Sequence, residues 1–118
     1  MLTFVLKKEW YEKLKSGEKA IEYREMKLYW INRIINAVQD WNYKNNYGSV
    51  IFDNTDVCNG ITKMTFIKPM PCILQLGYNP DTKLKASITK IEVVDGKFTD
   101  LHIEKPVYAI HLSNVFGD

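Results

Sequence analysis

Residues 16 to 25, SGEKAIEYRE, place charged side chains in a segment that otherwise has the alternation of a strand. Lys19, Glu22 and Arg24 combine two cationic hydrogen-bond donors with one carboxylate acceptor. In a strand, alternate side chains point to the same side, so Glu22 and Arg24 share a face. Two ionised groups are too costly to bury without partners. We therefore expect this face to be wet or to line a cleft, with Lys19 at its rim.

An aromatic and basic stretch follows this segment. Tyr29, Trp30 and Arg33 lie in it, and Tyr23 lies just before it. Lysine and arginine contact phosphates, while aromatic rings stack on unpaired bases. The pattern indicates binding of RNA or of a nucleoside-like ligand, with Lys27 as a further phosphate contact. Because Trp30 begins an apolar helix, it is equally expected in the core.

Metal and disulfide chemistry have little support. Cys58 and Cys72 stand apart without a CxxC pair, and the only histidines are His102 and His111. This spacing lacks the pattern of a zinc site, so two free thiols are expected, with neither metal nor cofactor. His111 shares a strand face with apolar residues and is expected to be structural.

Length and charge place the chain among ordinary globular proteins. Its 118 residues carry a formal net charge of +2, with eight Lys or Arg against five Glu in residues 1 to 33. We expect one domain over residues 1 to 118. No apolar stretch approaches the roughly 20 residues of a membrane span, and no secretion signal opens the chain, so we expect a cytoplasmic protein.

The elements that must position these residues follow from periodicity. LTFVL and AIEYR read as strands on either side of the short helix KKEWYEKLKSG, in which Trp10 and Leu14 share the inner face and Gly17 is the stop. A second helix runs from Tyr29 to about Trp41, and residues 42 to 61 are expected to form a long loop.

Strands dominate the second half. KMTFIK, CILQLGY, LKASITKIEVV and VYAIHL are separated by PMP, by NPDT and by a tight hairpin at Asp95-Gly96, with a bulge at Thr89 or Lys90. The predicted fold class is α+β: a small mixed β-barrel of about six strands with two short helices. The alternative is an open α+β sheet covered by both helices.

The charged segment resembles the signature of ASCH domains, small relatives of the PUA fold. The Gly-x-Lys-x-x-Glu-x-Arg pattern corresponds to Gly17, Lys19, Glu22 and Arg24. Weaker similarities to a phage and bacterial branch involve Tyr29-Trp30 with Arg33, Gly77-Tyr78, and the closing YAIHLSNV, in which Ser113 stands where Gly is frequent. The resemblance implies a PUA-like barrel with a cleft lined by the charged motif.

Three functions are compatible with this resemblance. The first is binding of RNA or of a modified nucleoside or nucleotide. The second is catalysis, as in a branch that removes acetyl groups from N-acetylated cytidine, or as a ribonuclease. Lys19 matches the catalytic lysine of that branch, Glu22 stands where it has Thr, and Glu104 is the candidate for its distant Glu. The third is a protein-interaction module that uses Trp41, Tyr43 and Tyr47.

Overall fold

Six strands form one curled sheet that wraps around the core as a half-barrel, with two α-helices packed against it. The computed structural model describes residues 1–53 and 62–117. In chain order the elements are β1 Leu2–Leu6, α1 Lys8–Ser16, β2 Ile21–Glu25, α2 Leu28–Lys44, β3 Val50–Asp53, β4 Lys63–Leu76, β5 Lys83–Asp95, a 3₁₀ turn Gly96–Phe98, and β6 Pro106–Gly117. The prediction of a small α+β barrel is confirmed.

The strand order leaves β1 and β2 at opposite ends of the curled sheet. Hydrogen-bonded neighbours run β1-β4-β5-β6-β2, and β3 also pairs with β4. β1 lies parallel to β4, whereas the other pairs are antiparallel, so the sheet is mixed as predicted. We call the gap between β1 and β2 the seam, because no backbone ladder between these strands joins them there within the described part of the chain.

The core follows the alternation of the strands. Leu2, Phe4 and Leu6 are buried, as the period of β1 predicts, and α2 contributes Ile34 and Val38. The buried residues of α1 are Tyr11 and Leu14. Trp10, four residues before Leu14 and on the same helix face, is half-buried. Among the described helices, none is long and apolar enough to cross a membrane.

The helix α1 ends at Gly17, as the sequence predicts. Gly17 adopts φ +82°, and its N–H donates to the carbonyl of Leu14. A residue in this left-handed conformation ends a helix, and glycine adopts it without the steric penalty of a Cβ. The chain is thereby redirected into β2.

The predicted long loop over residues 42 to 61 is partly wrong. α2 continues to Lys44, and Val50–Asp53 form β3, which pairs with Phe66 to Lys63 of β4. Four residues are too short for a strand signal without knowledge of a partner, so β3 depends on its tertiary contact. Residues 54 to 61, including Cys58, lie outside the described residues.

β4 is one strand where the sequence predicted two. Pro69-Met70-Pro71 was expected to form a turn, yet β4 runs through it, and its register against β5 shifts between Thr65 and Met70. Proline has no N–H to donate to a ladder and is tolerated where pairing is irregular. Pro69 lies in this irregular stretch, whereas Pro71 follows it and is paired with Ser87. The bulge predicted at Thr89 or Lys90 is confirmed by a register shift between Ile88 and Lys90.

The predicted tight hairpin at Asp95-Gly96 is wrong. Gly96 begins the 3₁₀ turn, and the chain rejoins the sheet at Pro106 after a connection over residues 96 to 105. Asp95 accepts a hydrogen bond from the N–H of Lys97, and the N–H of Gly96 donates to the carbonyl of Lys105. The ends of the connection are thereby tied together, and its middle is free to reach another part of the fold.

Substitution of Gly96 tests this closure. A Cβ at residue 96 would lie 2.7 Å from the carbonyl oxygens of Ile103 and Lys105. We expect Gly96→Ala to lower the free energy of unfolding by about 2 kcal/mol, because these contacts are backbone atoms that cannot move aside cheaply. In Gly48→Ala the nearest contact would be an ordinary 3.8 Å, so urea denaturation should show a change of roughly 0.5 kcal/mol or less. Equal losses in the two variants would contradict the role of Gly96.

Candidate functional site

A cavity of about 380 Å³ lies in the seam. Its walls come from both edge strands, from the starts of the two helices and from the connection between β5 and β6. The lining residues are Val5, Leu6, Lys7, Trp10, Lys19, Glu22, Tyr23, Arg24, Glu25, Lys27, Trp30, Asp100 and Leu101. The cavity therefore forms where the sheet fails to close on itself.

Glu22 is the buried centre of this site. The residue is 5% exposed. Its Oε1 accepts the backbone N–H of Tyr23 at 3.0 Å and lies 3.6 Å from Lys19 Nζ, while its Oε2 lies 3.5 Å from Arg24 Nη2. A buried carboxylate is tolerated when it is paired and hydrogen-bonded. The predicted charged face therefore lines a cleft, and Glu22 lies at the buried side of that cleft.

Lys19 links Glu22 of β2 to the segment that joins β5 and β6. Its Nζ lies 2.9 Å from Asp100 Oδ2, closer than to Glu22. The same ammonium lies 4.6 Å from the ring centroid of Trp10 and 5.6 Å from that of Tyr23, both within the range of cation–π attraction. Two carboxylates and two rings thus hold one lysine in place, and its side chain is 12% exposed.

Arg24 crosses the seam. Its Nη2 donates to the carbonyl of Val5 at 3.0 Å, which joins β2 to β1 by a side chain. The guanidinium carbon lies 4.9 Å from the Trp30 ring centroid and 5.5 Å from that of Phe4. Nε is buried without a hydrogen-bond partner among the described residues. Arg24 is therefore a structural strap as well as a wall of the cavity.

The predicted ligand-binding residues divide into two groups. Lys19, Glu22, Tyr23, Arg24 and Trp30 line the cavity. Trp30 also stacks on Phe4 at 5.4 Å and packs against the core, so one ring is both part of the core packing and part of the cavity lining.

Tyr29 and Arg33 do not line the cavity. Tyr29 meets Trp30 edge to face at 5.3 Å and is largely exposed. The guanidinium of Arg33 lies over the Tyr29 ring at 5.2 Å. Both side chains therefore lie next to Trp30 outside the cavity lining, where they contact each other on one face of α2.

Sequence reasoning missed Asp100, Leu101 and the role of Trp10. Asp100 and Leu101 belong to the connection over residues 96 to 105, which a tight hairpin would not have contained. No local pattern marked Asp100, since its partner Lys19 lies at the other end of the chain. For Trp10 a signal existed, because it is an aromatic residue on the inner face of α1 and precedes Lys19 closely in the sequence.

The remaining candidates lie outside the cavity. Glu104 and His102 are exposed, and neither is a lining residue. His111 Nε2 lies 3.1 Å from Glu92 Oε1. Burial raises the pKa of the Cys72 thiol to about 12, so this cysteine is an unreactive core residue. In residues 1–53 and 62–117, no three His, Cys, Asp or Glu side chains are grouped as metal ligands.

The charges of the cavity compensate one another. Besides the pairs made by Lys19 and Arg24, Glu25 lies 2.9 Å from Lys27 and 3.6 Å from Lys105. The hydrogen bond from Lys27 lowers the pKa of Glu25. Lys7 lines the cavity without an ion pair to any described carboxylate. The site therefore offers both donors and acceptors and has little excess charge.

Comparison of the chain with protein-family models, curated proteins and solved structures found no match. The similarity to ASCH domains accordingly stays a prediction from the motif.

Removal of the Arg24 side chain tests its structural role. Arg24→Ala would leave Glu22 buried with one cation fewer and would open the seam. We expect a loss of about 3 kcal/mol in the free energy of unfolding, measured by urea denaturation. Arg33→Ala removes an exposed arginine that also contacts an aromatic ring, and should cost about 1 kcal/mol or less. A small loss in both variants would show that the strap contributes little.

The pKa of Tyr23 depends on whether the Asp100 carboxylate lies close to its phenol. Burial, together with the negative charges of Asp100 and Glu92, raises the pKa of the Tyr23 phenol above its usual value of about 10. Asp100→Asn removes one of these charges, so the pKa of Tyr23 should fall back towards its usual value. NMR titration with ring-labelled tyrosine measures it, and Asp81→Asn in the exposed β4–β5 turn is the control. An unchanged pKa in Asp100→Asn would place Asp100 away from the site.

Proposed function

We propose that the seam cavity binds a neutral, planar ligand with hydrogen-bonding edges, namely the base of a nucleoside or nucleotide, either free and modified or unpaired in RNA. The observation that carries this proposal is the buried Glu22 carboxylate beside the Lys19 and Arg24 donors, inside a cavity lined by aromatic rings. A nucleobase edge presents donors and acceptors side by side, and this group can complement both.

The carboxylate favours a base with an exocyclic amine. Glu and Asp accept hydrogen bonds from the amino group of cytosine, and Arg and Lys donate to carbonyl oxygens of bases. Glu22 and Arg24 leave β2 two residues apart on one face, which places an acceptor next to a donor. Trp10 and Tyr23 provide ring faces on which a base can stack.

The charge balance argues against a site built mainly for phosphates. Proteins that bind the nucleic-acid backbone present unpaired Lys and Arg. Here Lys19, Arg24 and Lys27 each have a carboxylate within 4 Å, and Lys7 is the lining cation without one among the described residues. An RNA partner would therefore be held chiefly through an unpaired base. The motif resemblance to ASCH domains supports a ligand of this class.

Hydrolysis is the second candidate, supported by the contact of Lys19 with two carboxylates in the cavity. The substrate class would be an N-acylated cytidine-type nucleoside. Glu22 would take a proton from water, and the water oxygen would add to the acyl carbon polarised by Lys19. Glu22 would then return the proton to the leaving nitrogen as the C–N bond breaks, which releases a carboxylic acid and the amine and regenerates the Glu22 carboxylate. The β5–β6 connection supplies Asp100 at 2.9 Å from Lys19, while Glu104 from the same segment stays exposed.

A ribonuclease would depend on the same groups. Glu22 would act as the base near the ribose hydroxyl, with Lys19 or Arg24 stabilising the developing charge. Neither His102 nor His111, the histidines that could also serve as a base, lines the cavity.

Calorimetric titration tests binding. We expect cytidine and cytidine monophosphate to bind with similar affinity, and Glu22→Gln to weaken both about tenfold because the carboxylate acceptor is lost. Glu12→Gln, on the exposed face of α1, is the matched control and should bind as the wild type does. Circular dichroism of each variant verifies that it is folded. Absence of binding by nucleosides and by short single-stranded RNA would overturn the proposal.

The salt dependence separates base recognition from backbone recognition. A protein that contacts many phosphates loses about 10³-fold or more in affinity between about 50 and 200 mM salt. For short single-stranded RNA we expect a change of about tenfold or less, because the cations of the cavity are already paired. A steep loss would show that phosphate contacts dominate.

Turnover distinguishes the enzyme from the binding protein. The pure protein is incubated with acylated nucleosides and short RNAs, and products are separated by chromatography alongside Lys19→Ala. A product that disappears in Lys19→Ala supports hydrolysis. Binding without any product supports a binding protein.

A further inference from the structure

β3 forms a further edge of the sheet, apart from the β1 and β2 edges at the seam. It pairs with β4 on one side, and no strand within the described residues pairs with its other side. Such an edge carries backbone N–H and C=O groups that are available to another strand. Monomeric proteins commonly protect edges with Lys, Pro or a bulge, whereas β3 reads Val-Ile-Phe-Asp, with its single charge at the end.

Apolar side chains are exposed on both faces of this edge. On one face, Ile51 is 48% exposed, and it pairs in register with Thr65, two residues before the 64% exposed Ile67. Beside Phe52 lies a cavity of about 480 Å³, and none of its lining residues is charged: Gln39, Asn42, Tyr43, Tyr47 and Phe52. A strand added to β3 would cover apolar surface on both sides of the sheet.

The turn before β3 holds an exposed tyrosine in an unfavourable backbone conformation. Asn46 and Tyr47 have φ of 57° and 60°, and the N–H of Tyr47 donates to the carbonyl of Asn42 at 2.7 Å. The left-handed region costs a bulky residue roughly 1 kcal/mol or more. The Tyr47 ring packs edge to face on Tyr43 and stays 69% exposed. The free energy gained by burying this ring is therefore too small to offset the backbone strain. Residues held in such conformations cluster at active sites and ligand-binding surfaces.

We infer that this edge pairs with the same edge of a second copy of the chain. In an antiparallel, two-fold arrangement, the free N–H groups of each β3 meet the free C=O groups of the other. The two Asp53 residues then lie at opposite ends of the pair, and each is opposite Lys63 of its own chain, so like charges do not meet. Nucleic acid is a poor occupant, because no cation lines this cavity.

Sedimentation equilibrium over about a hundredfold range of protein concentration tests the inference. We expect a shift from monomer to dimer with concentration. Ile51→Lys places a charge on the edge and should raise the dissociation constant about tenfold or more. Tyr78→Lys changes a 92% exposed aromatic in a different turn and should leave the dissociation constant unchanged.

Hydrogen exchange identifies the contacting edge. Backbone amides within residues 50 to 53 should exchange more slowly as the protein concentration rises, and those of β5, which pairs on both sides, should not change. A monomer at every concentration overturns the inference. A dimer that forms equally well in Ile51→Lys, or that leaves exchange at β3 unchanged, also overturns it, because such a dimer uses another surface.

Discussion

The carboxylate of Glu22, buried where the sheet does not close, is the constraint on which the rest of the site depends. A buried negative charge must be matched by cations and hydrogen bonds, and Lys19, Arg24 and the N–H of Tyr23 provide them. Each cation has a second partner that ties another element to the seam. Arg24 reaches β1 through Val5, and Lys19 reaches the β5–β6 connection through Asp100.

Because side chains and not backbone hydrogen bonds join β1 to β2, a cavity remains between these strands. Strands joined by a ladder lie about 4.8 Å apart, too close for a cavity between them. In this protein the long side chain of Arg24 connects β2 to β1, so the strands are joined while a cavity of about 380 Å³ remains. The same ion pairs stabilise the fold and provide the polar lining of the candidate site. Arg24 is therefore both a link between the two edge strands and a wall of the candidate site.

The seam between β1 and β2 and the free edge of β3 carry opposite chemistry. At the seam, compensated charges and indole rings surround a cavity suited to a planar polar ligand. At β3, uncharged aliphatic and aromatic side chains border free backbone groups, a surface suited to another strand. A half-barrel has such edges because it is not closed, and in this protein each edge has become a candidate site of interaction.

The sequence by itself determined the features that depend on near neighbours. The alternation of β1, the Gly17 stop, the apolar stripe of α2 and the placement of Lys19, Glu22 and Arg24 at a cleft all follow from short-range periodicity and the cost of burying charge. Only the tertiary structure decided that Val50–Asp53 form a strand, that β4 continues through two prolines, that Asp100 meets Lys19, and that Tyr29 and Arg33 do not line the cavity. These features arise from contacts between segments distant in the chain, and the energy of such contacts depends on which surfaces the folded sheet brings together.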